Sequence, residues 1–160
     1  MKRSMSVLFT VRLCLVVAVA VLLLGTGNGL QAAEEVVRIG NIIPLSGPSA
    51  SVGEQGRNAR EMAVDEINAA GGIKSLGGAK LEMLYADSES KPEKGVSEAE
   101  RMINTEKVHI LTGCWNSAVT YPTTAVAERY GIPFVVPVSV ADKITEQGFK
   151  VLEDDQGIFP

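Results

Sequence analysis

The stretch Thr112–Pro122, TGCWNSAVTYP, joins an apolar run, Val108–Leu111, to an amphipathic stretch that ends near Tyr130. This order is typical of a buried strand that turns into a helix. In an open α/β sheet, small molecules bind beyond the carboxyl ends of the strands, where N–H groups at a helix start carry partial positive charge. The stretch therefore predicts both an α/β fold and the position of a ligand site within it.

Three side chains of this turn are candidates for ligand contact. Ser117 and Thr120 provide hydroxyl groups, and Trp115 provides a flat apolar face. Serine and threonine are also preferred N-caps of helices, so capping is the alternative role of both hydroxyls. The tryptophan has an alternative role too, because it can be packed beneath the loop instead of facing a ligand.

Strands and helices alternate along the chain on both sides of this turn. Four strands are predicted from β-branched and apolar runs that end at turn residues: Val36–Pro44, Lys80–Ala86, Val108–Leu111 and Phe134–Val138. Helical stretches separate these strands, which implies parallel pairing with right-handed connections. The predicted fold class is therefore α/β, with a doubly wound parallel sheet in a three-layer αβα arrangement.

The first helix is predicted to begin at Glu54, after the turn-rich stretch Leu45–Gly53, and to stop at Gly71 and Gly72. Its apolar side chains recur at helical spacing, so this face is expected to pack on the sheet. The face consists of Ala59, Met62, Ala63, Ile67 and Ala70, and the residues off it are Arg57, Arg60, Glu61 and Asp65.

The second helix has a capping-box pattern at its start, formed by Ser90 and Glu93, and a proline that is tolerated in the first turn. Its buried face is predicted to contain Val96, Ala99 and Ile103. The third helix is expected over Val119–Tyr130.

The first 33 residues have the layout of a secretory signal peptide. Lys2, Arg3 and Arg12 precede the uncharged run Leu13–Leu24, and small residues follow it. The run is shorter than the roughly 20 apolar residues of a transmembrane span. We therefore expect residues 1–33 to be removed, with cleavage after Ala33 or Gly29, and residues 34–160 to form a domain that does not span the membrane.

The chain without this segment is acidic. The full sequence has 15 Lys and Arg against 19 Asp and Glu, and removing the three basic residues of the leader leaves 12 against 19, a net charge of −7. This excess of negative charge argues against nucleic acid or anionic lipid as the partner. Cys114 is the one cysteine after the leader, so a fold held by intrachain disulfides is excluded.

The common catalytic and cofactor motifs are absent from the sequence. Gly53 and Gly56 do not have the GxGxxG spacing of dinucleotide binding, and no lysine-bearing phosphate loop occurs. Ser117 is not in a GxSxG elbow, and the single histidine, His109, lies in a predicted strand. One cysteine and one histidine provide no metal-ligand cluster. The sequence therefore predicts no enzyme activity, no cofactor and no metal.

Five blocks occur in a fixed order between Val36 and Lys150: IGNIIPLSGPSASVGEQGRNAREMAVDEINAAGGI, YADSESKPEKGVSEAERMI, TGCWNSAVTYP, AERYGIPFVVP and ADKITEQGF. Together they resemble the branched-chain amino-acid and amide type of periplasmic solute-binding proteins. Members of that family have two α/β lobes joined by a hinge, bind a small-molecule solute in the cleft, and deliver it to an ABC transporter permease in the inner membrane. The resemblance implies a periplasmic protein and identifies residues 34–160 as its first lobe, which is incomplete and lacks the second lobe.

The resemblance also implies a ligand site. Ser117 and the segment Val138–Val140 match positions that hold the ligand's carboxylate and amino groups through hydroxyl and backbone groups. Val140 stands where many amino-acid binders have a threonine, and Val52 where they often have an aromatic residue, so a standard amino acid is in doubt. Branched amino acids, amides and aromatic acids all remain as ligands. The candidate ligand-binding residues are Trp115, Asn116, Ser117, Val138, Ser139 and Val140.

The sequence after Lys150 departs from the family, because Val151–Asp155 leads only to the last residue, Pro160. Two-lobed members are more than twice as long, so a truncated or frame-shifted product, or a fragment, is expected. Its unpaired strand edges would favour aggregation. The alternative function is that of a ligand-sensing domain of a receptor, since sensors use the same fold and fold alone does not determine function.

Overall fold

The computed structural model describes the backbone of residues 36–154 and the side chains of residues 36–151. The predicted signal peptide, Met1–Ala33, lies outside the described residues. Within the described residues, no helix is both long enough and apolar enough to cross a membrane.

Five parallel strands form one sheet in the order β2-β1-β3-β4-β5. Successive connections lead away from β1 first on one side and then on the other, so a topological switch point lies between β1 and β3. This arrangement confirms the predicted doubly wound sheet. The strands are β1 Val36–Ile43, β2 Lys80–Asp87, β3 Ile110–Gly113, β4 Phe134–Val136 and β5 Leu152–Asp154.

Helices cover both faces of the sheet. The Tyr85 hydroxyl lies 3.4 Å from the Arg57 carbonyl oxygen, which places α1 on one face. On the other face α2 and α3 pack closely, because Gly95 lies against Val119 and Thr123 without room for a side chain. The helices are α1 Ala50–Ala69, α2 Pro92–Arg101 and α3 Ser117–Tyr130; a π-helical turn, Met102–Glu106, extends α2, and 3₁₀ turns occupy Lys74–Leu76 and Asp142–Gln147.

The main hydrophobic core lies between the sheet and the pair α2 and α3. The predicted buried face of α2 is confirmed, since Ala99 and Ile103 are buried and Val96 packs against the same cluster. Burial of a large aliphatic or aromatic side chain stabilises a fold by about 1.5–3 kcal/mol. The largest buried members of this core are Ile42, Met102, Leu111, Val119, Phe134 and Ile144.

The first helix begins earlier than predicted, at Ala50 instead of Glu54. Gly53 lies so close to Pro44 that a Cβ atom at this position would overlap the Pro44 carbonyl oxygen. The absence of a side chain lets the first turn of α1 rest on the end of β1. The predicted C-terminal stop is confirmed, since Gly71 and Gly72 have positive φ angles of 102° and 77°.

The predicted buried face of α1 is wrong. The close contact at Gly53 fixes the rotation of the helix and turns Arg60, Val64 and Asn68 toward the sheet, where they are half-buried. The Asn68 amide accepts a hydrogen bond from the Leu81 N–H and donates one to the Leu81 carbonyl, which fastens the helix to β2. The residues predicted to be buried are exposed instead: Ala59, Met62 (73% exposed), Ala63, Ile67 (40% exposed) and Ala70.

Two strands differ from their predicted ranges by two residues, and the ends of β1 and β2 differ by one. Strand β3 lies two residues later than Val108–Leu111, because Thr112 and Gly113 continue the pairing with Asn41 and Ile42 of β1. Strand β4 ends at Val136 instead of Val138, and the next residue is Pro137, which has no N–H to donate to a neighbouring strand.

The predicted capping box of α2 does not form. The N-cap is Lys91, and the Ser90 hydroxyl has no hydrogen-bond partner among the described residues. Ser90 has a positive φ angle of 58°, so its backbone is outside the extended conformation of an N-cap. Pro92 occupies the start of the helix, as predicted.

Candidate functional site

A cavity of about 330 Å³ opens at the carboxyl ends of β1, β3 and β4. Its volume falls in the range of small-molecule sites, which extends from about 300 to 1,000 Å³. The wall comes from the ends of these strands and the first turns of α1, and it is mostly apolar. Its larger apolar residues are Ile43, Pro44, Val52, Trp115, Pro137 and Val138.

Two of the predicted site residues, Trp115 and Val138, line this cavity. Trp115 is 40% exposed, so its ring is not packed beneath the loop. Trp115 instead forms part of the cavity wall. Gly113 lines the same wall. It has a φ angle of +129°, and its backbone lies directly against the Ile42 carbonyl.

The hydroxyl of Ser139 is directed into the protein. It lies 2.9 Å from the Cys114 carbonyl oxygen and 3.3 Å from that of Trp115. The Thr120 hydroxyl also lies within hydrogen-bond distance of the Cys114 carbonyl, at 3.3 Å, and of the Asn116 carbonyl, at 3.1 Å. These contacts hold the loop after β4 against the loop after β3, which leaves the backbone of Ser139 as its group for ligand contact.

Ser117 is the first residue of α3, and the N-cap is Asn116, which makes no capping hydrogen bond with its side chain. The capping alternative for Ser117 and Thr120 is therefore wrong, because the helix begins before both hydroxyls can cap it. The Ser117 hydroxyl makes no hydrogen bond to another described residue. The Asn116 Oδ1 atom is buried and also has no partner among those residues.

The loop after β4 presents backbone donors. The N–H groups of Ser139 and Val140 make no hydrogen bond within the described part of the chain, and the Val140 side chain is 84% exposed. Together with the Ser117 hydroxyl and the N-terminus of α3, these groups provide hydrogen-bond donors at the carboxyl end of the sheet.

Sequence analysis missed Arg60 as a site residue. Its side chain lines the cavity, and its Nη1 atom donates a 2.9 Å hydrogen bond to the Gly56 carbonyl oxygen. Burial lowers the pKa of the Arg60 guanidinium. A Cβ atom at Gly56 would lie 2.7 Å from Nη1, so this glycine makes room for the guanidinium. The sequence signal was the spacing of Gly53, Gly56 and Arg60, which repeats with the helical period.

Asp87 fixes the loop that leads into α1. One carboxylate oxygen accepts hydrogen bonds from the backbone N–H groups of Leu45 at 2.8 Å, Ser46 at 3.1 Å and Glu89 at 2.8 Å. Burial alone would raise the pKa of Asp87, but the hydrogen bonds from Ser46, Glu89 and Leu45 outweigh it and lower the pKa. The carboxylate therefore positions the loop and, through it, the first turn of α1.

The remaining reactive side chains have structural surroundings. Cys114 is fully buried, and burial raises the pKa of its thiol to about 12, so it is not a thiolate nucleophile. His109 accepts a hydrogen bond at Nδ1 from the Arg38 N–H, at the opposite end of the sheet from the cavity. Among the described residues, no cluster of three His, Cys, Asp or Glu side chains could hold a metal ion.

A family profile described as "Periplasmic binding protein" matches residues 36–156 of the sequence. The chain belongs to the periplasmic binding protein family. The resemblance found in the sequence is thereby confirmed.

Two relatives of this periplasmic binding protein come from Brucella abortus (strain 2308). The Leu/Ile/Val-binding protein homolog 8 is 34% identical over 138 residues, which covers 82% of this chain and 33% of the relative. The Leu/Ile/Val-binding protein homolog 7 is 32% identical over 122 residues, covering 76% of this chain and 30% of the relative. The chain thus spans about a third of the length of these relatives.

Solved structures of related proteins have the same lobe. The branched-chain amino acid transporter substrate binding protein LivJ from Streptococcus pneumoniae, in complex with isoleucine, superposes with a TM-score of 0.70 and 30% identity, covering 75% of this chain and 33% of LivJ. An ABC transporter substrate-binding protein from Desulfitobacterium hafniense, in complex with Leu, has a TM-score of 0.66 and 28% identity. The match covers 75% of this chain and 34% of that protein. The described residues form the first lobe, incomplete, of the two-lobed periplasmic binding protein fold.

Proposed function

We propose that this periplasmic binding protein is the substrate-binding component of an ABC uptake system. It captures a small amino-acid-like, amide or carboxylate solute in the periplasm and delivers it to the permease in the inner membrane. The observation that carries this proposal is the apolar cavity of about 330 Å³ at the carboxyl ends of β1, β3 and β4, next to unpaired hydrogen-bond donors. The Brucella and Streptococcus relatives support the same class of function.

In this proposal the polar groups and the apolar side chains of the site have separate roles. The Ser117 hydroxyl and the N–H groups of Ser139 and Val140 hold the polar groups of the solute, and Asn116 supports them at the start of α3. Trp115 and Val138 contact its apolar part, because both line the cavity. Val140 provides no hydroxyl, so at this position the protein recognises the solute through its backbone.

Solute capture in this family of folds depends on closure of two lobes. Closure excludes water, so hydrogen bonds from both sides act in a medium of low dielectric constant. A solute on one lobe keeps its other side in water, where each hydrogen bond contributes only about 0.5–1.5 kcal/mol. We therefore expect the 160-residue chain alone to bind its solute in the millimolar range.

Export through the signal peptide Met1–Ala33 is part of the proposal. N-terminal sequencing of the protein from the periplasmic fraction should find a start after Ala33 or Gly29. Retention of Met1 in the membrane fraction would contradict export in this form.

The test of solute binding is an NMR titration with branched-chain amino acids, short amides and aromatic acids, carried to tens of millimolar so that weak binding is detected. Trp115 is the single tryptophan of the chain, so its indole N–H signal reports directly on the cavity. We expect a saturable shift of this signal and of the Ser139 and Val140 amides. The absence of such shifts with every solute, or turnover of an amide, would contradict the proposed function.

A further inference from the structure

We propose that Arg60 recognises an anionic group of the solute at the inner wall of the cavity, so that the preferred solutes are carboxylates with an apolar body. This inference rests on the proposed function, because it names the class of solute that the same cavity takes. Arg60 is the one charged side chain among the described residues that line the cavity. The rest of that wall is built mainly from aliphatic, aromatic, proline and glycine residues.

The guanidinium of Arg60 is held in place without being neutralised. Its hydrogen bond to the Gly56 carbonyl orients Nη1, and the lack of a side chain at Gly56 gives the group its space. A carbonyl oxygen satisfies one of the five guanidinium donors and carries no net charge. Arg60 therefore presents a positive charge to the cavity with donors to spare.

Two acidic side chains of α1 and of the end of β2 have partners other than Arg60. Glu61 accepts a 2.8 Å hydrogen bond from Arg57. Asp87 accepts three backbone N–H groups at the loop after β1. In the described part of the chain, Arg60 forms no salt bridge. A half-buried cation without a counter-charge carries a desolvation cost that an anion in the cavity would offset.

A second polar group lies on the face of β1 that carries the cavity-lining Ile43. Asn41 on β1 is completely buried, and neither its Oδ1 nor its Nδ2 atom has a hydrogen-bond partner among the described residues. It pairs in register with Tyr85, whose hydroxyl contacts α1, so Asn41 projects to the α1 face of the sheet. Ile43, two residues further along the same face, lines the cavity.

These observations place a cation without a counter-charge, Arg60, and an unsatisfied amide, Asn41, on the side of the sheet that bounds an apolar cavity. Leaving a buried polar group without a partner is costly, so such groups mark places where a ligand or water completes the hydrogen bonding. A carboxylate matches the guanidinium because both are planar and form two parallel hydrogen bonds. The apolar body of such a solute would lie against Ile43, Val52 and Trp115.

The test compares pairs of solutes that have the same body with and without the charge. We choose 4-methylpentanoate against 4-methylpentanamide, and benzoate against benzamide. The Trp115 indole N–H signal of the purified 160-residue chain gives the dissociation constants. The expected result is that each carboxylate binds about ten- to a hundredfold more tightly than its amide, as a charged hydrogen-bonded pair allows.

Three variants test whether Arg60 causes the preference for carboxylates over amides. Arg60→Gln should remove the preference for carboxylates, and Arg60→Lys, which keeps the charge but not the fork of donors, should retain part of it. The matched control is Arg57→Gln, which removes an arginine of the same helix that is paired with Glu61 and does not line the cavity. This control should leave the preference unchanged.

A measurement of stability separates recognition from a structural role. Because Arg60 is a half-buried cation without an acidic partner among the described residues, the melting temperature of the ligand-free Arg60→Gln variant should equal or exceed that of the wild type. A clear fall in melting temperature for both Arg60 variants would overturn the inference.

The binding data distinguish this inference from the proposed function. Equal binding of carboxylates and amides by the wild type, or an unchanged preference in Arg60→Gln, would overturn the role of Arg60 and leave solute binding intact. No binding of any solute by the wild type would overturn the proposed function and, with it, this inference.

Discussion

The side-chain oxygens of Thr120 and Ser139 lie 2.6 Å apart, although 19 positions separate the two residues in the sequence. Thr120 is buried within α3, and Ser139 belongs to the loop after β4. Both hydroxyls also reach the Cys114 carbonyl, so three segments of the chain meet at one point beside the cavity. The positions of Trp115 and Val138 depend on this junction.

The first prediction concerns the junction itself. Thr120→Val should lower the free energy of unfolding by about 1–2 kcal/mol, because it removes a buried hydroxyl and leaves Ser139 and two carbonyls with fewer partners. Urea denaturation followed by circular dichroism measures this change. Thr145→Val is the control, since the Thr145 hydroxyl bonds only the Asp142 carbonyl at an exposed turn. Equal destabilisation by the two substitutions would contradict a special role for the junction.

The second prediction separates binding from capping at Ser117. In a full-length version of the protein, Ser117→Ala should weaken solute binding by about 1–3 kcal/mol, as expected for the loss of a hydroxyl that faces a charged group. Its free energy of unfolding should stay within about 0.5 kcal/mol of the wild type, because this hydroxyl caps nothing. Calorimetric melting and the Trp115 titration measure the two quantities. A lower melting temperature with unchanged affinity would restore the capping role.

The third prediction is a dependence of stability on pH through Asp87. The folded protein holds the pKa of Asp87 below its ordinary value of 3.8. The carboxylate therefore stabilises the fold fully at pH values above 3.8, and this contribution is lost as the pH falls through the lowered pKa. Asp87→Asn should be less stable than the wild type at neutral pH and should lose less stability on acidification below 3.8.

Urea denaturation across the acidic range tests this prediction. The control is Asp65→Asn, which removes an exposed carboxylate from α1 that makes no hydrogen bond within the described residues. Parallel stability curves for the wild type and Asp87→Asn would rule out the Asp87 contribution.

The fourth prediction is that Cys114 is inert in the folded protein. With a pKa of about 12, its thiol is almost completely protonated at pH 8, whereas a free cysteine with a pKa of about 8.5 is partly ionised. Because the thiolate is the reacting form, alkylation by iodoacetamide should be slower in the native protein than in urea by about the ratio of the two thiolate fractions, which is at least roughly a thousandfold. Mass spectrometry of the peptide that contains Cys114 measures the rates, and rapid native labelling would contradict the buried environment.

The order of strands and helices could be predicted from the sequence because apolar runs, proline and glycine mark element boundaries directly. The buried face of α1 could not be predicted in this way. Two stripes of α1 have helical spacing, one with Met62 and Ile67 and the other with Gly53, Arg60 and Val64. The first stripe is the more apolar, so it was expected to be the buried face. The close contact of Gly53 with the Pro44 carbonyl instead turns the second stripe toward the sheet. That contact joins a helix to the end of a strand, so no periodic pattern in the sequence reveals it.

The candidate site was likewise predicted in part. The stretch Thr112–Pro122 indicated the edge of the sheet at which the cavity opens, and Trp115 and Val138 line that cavity. Arg60 was missed because a charged residue on a helix is ordinarily assigned to solvent. The roles of Ser139 and Thr120 required the distance between two loops, which depends on how β3 and β4 pair.

The cavity wall draws on the chain from Ile43 to Val138, so no single supersecondary unit can build it. Its parts meet only after β1, β3 and β4 have paired, and such non-local pairings form late and slowly in folding. A solute that binds this wall therefore binds the folded lobe and not its precursors. By mass action it shifts the whole folding equilibrium, and it should slow hydrogen exchange at the centre of the sheet as well as at the loops that it contacts.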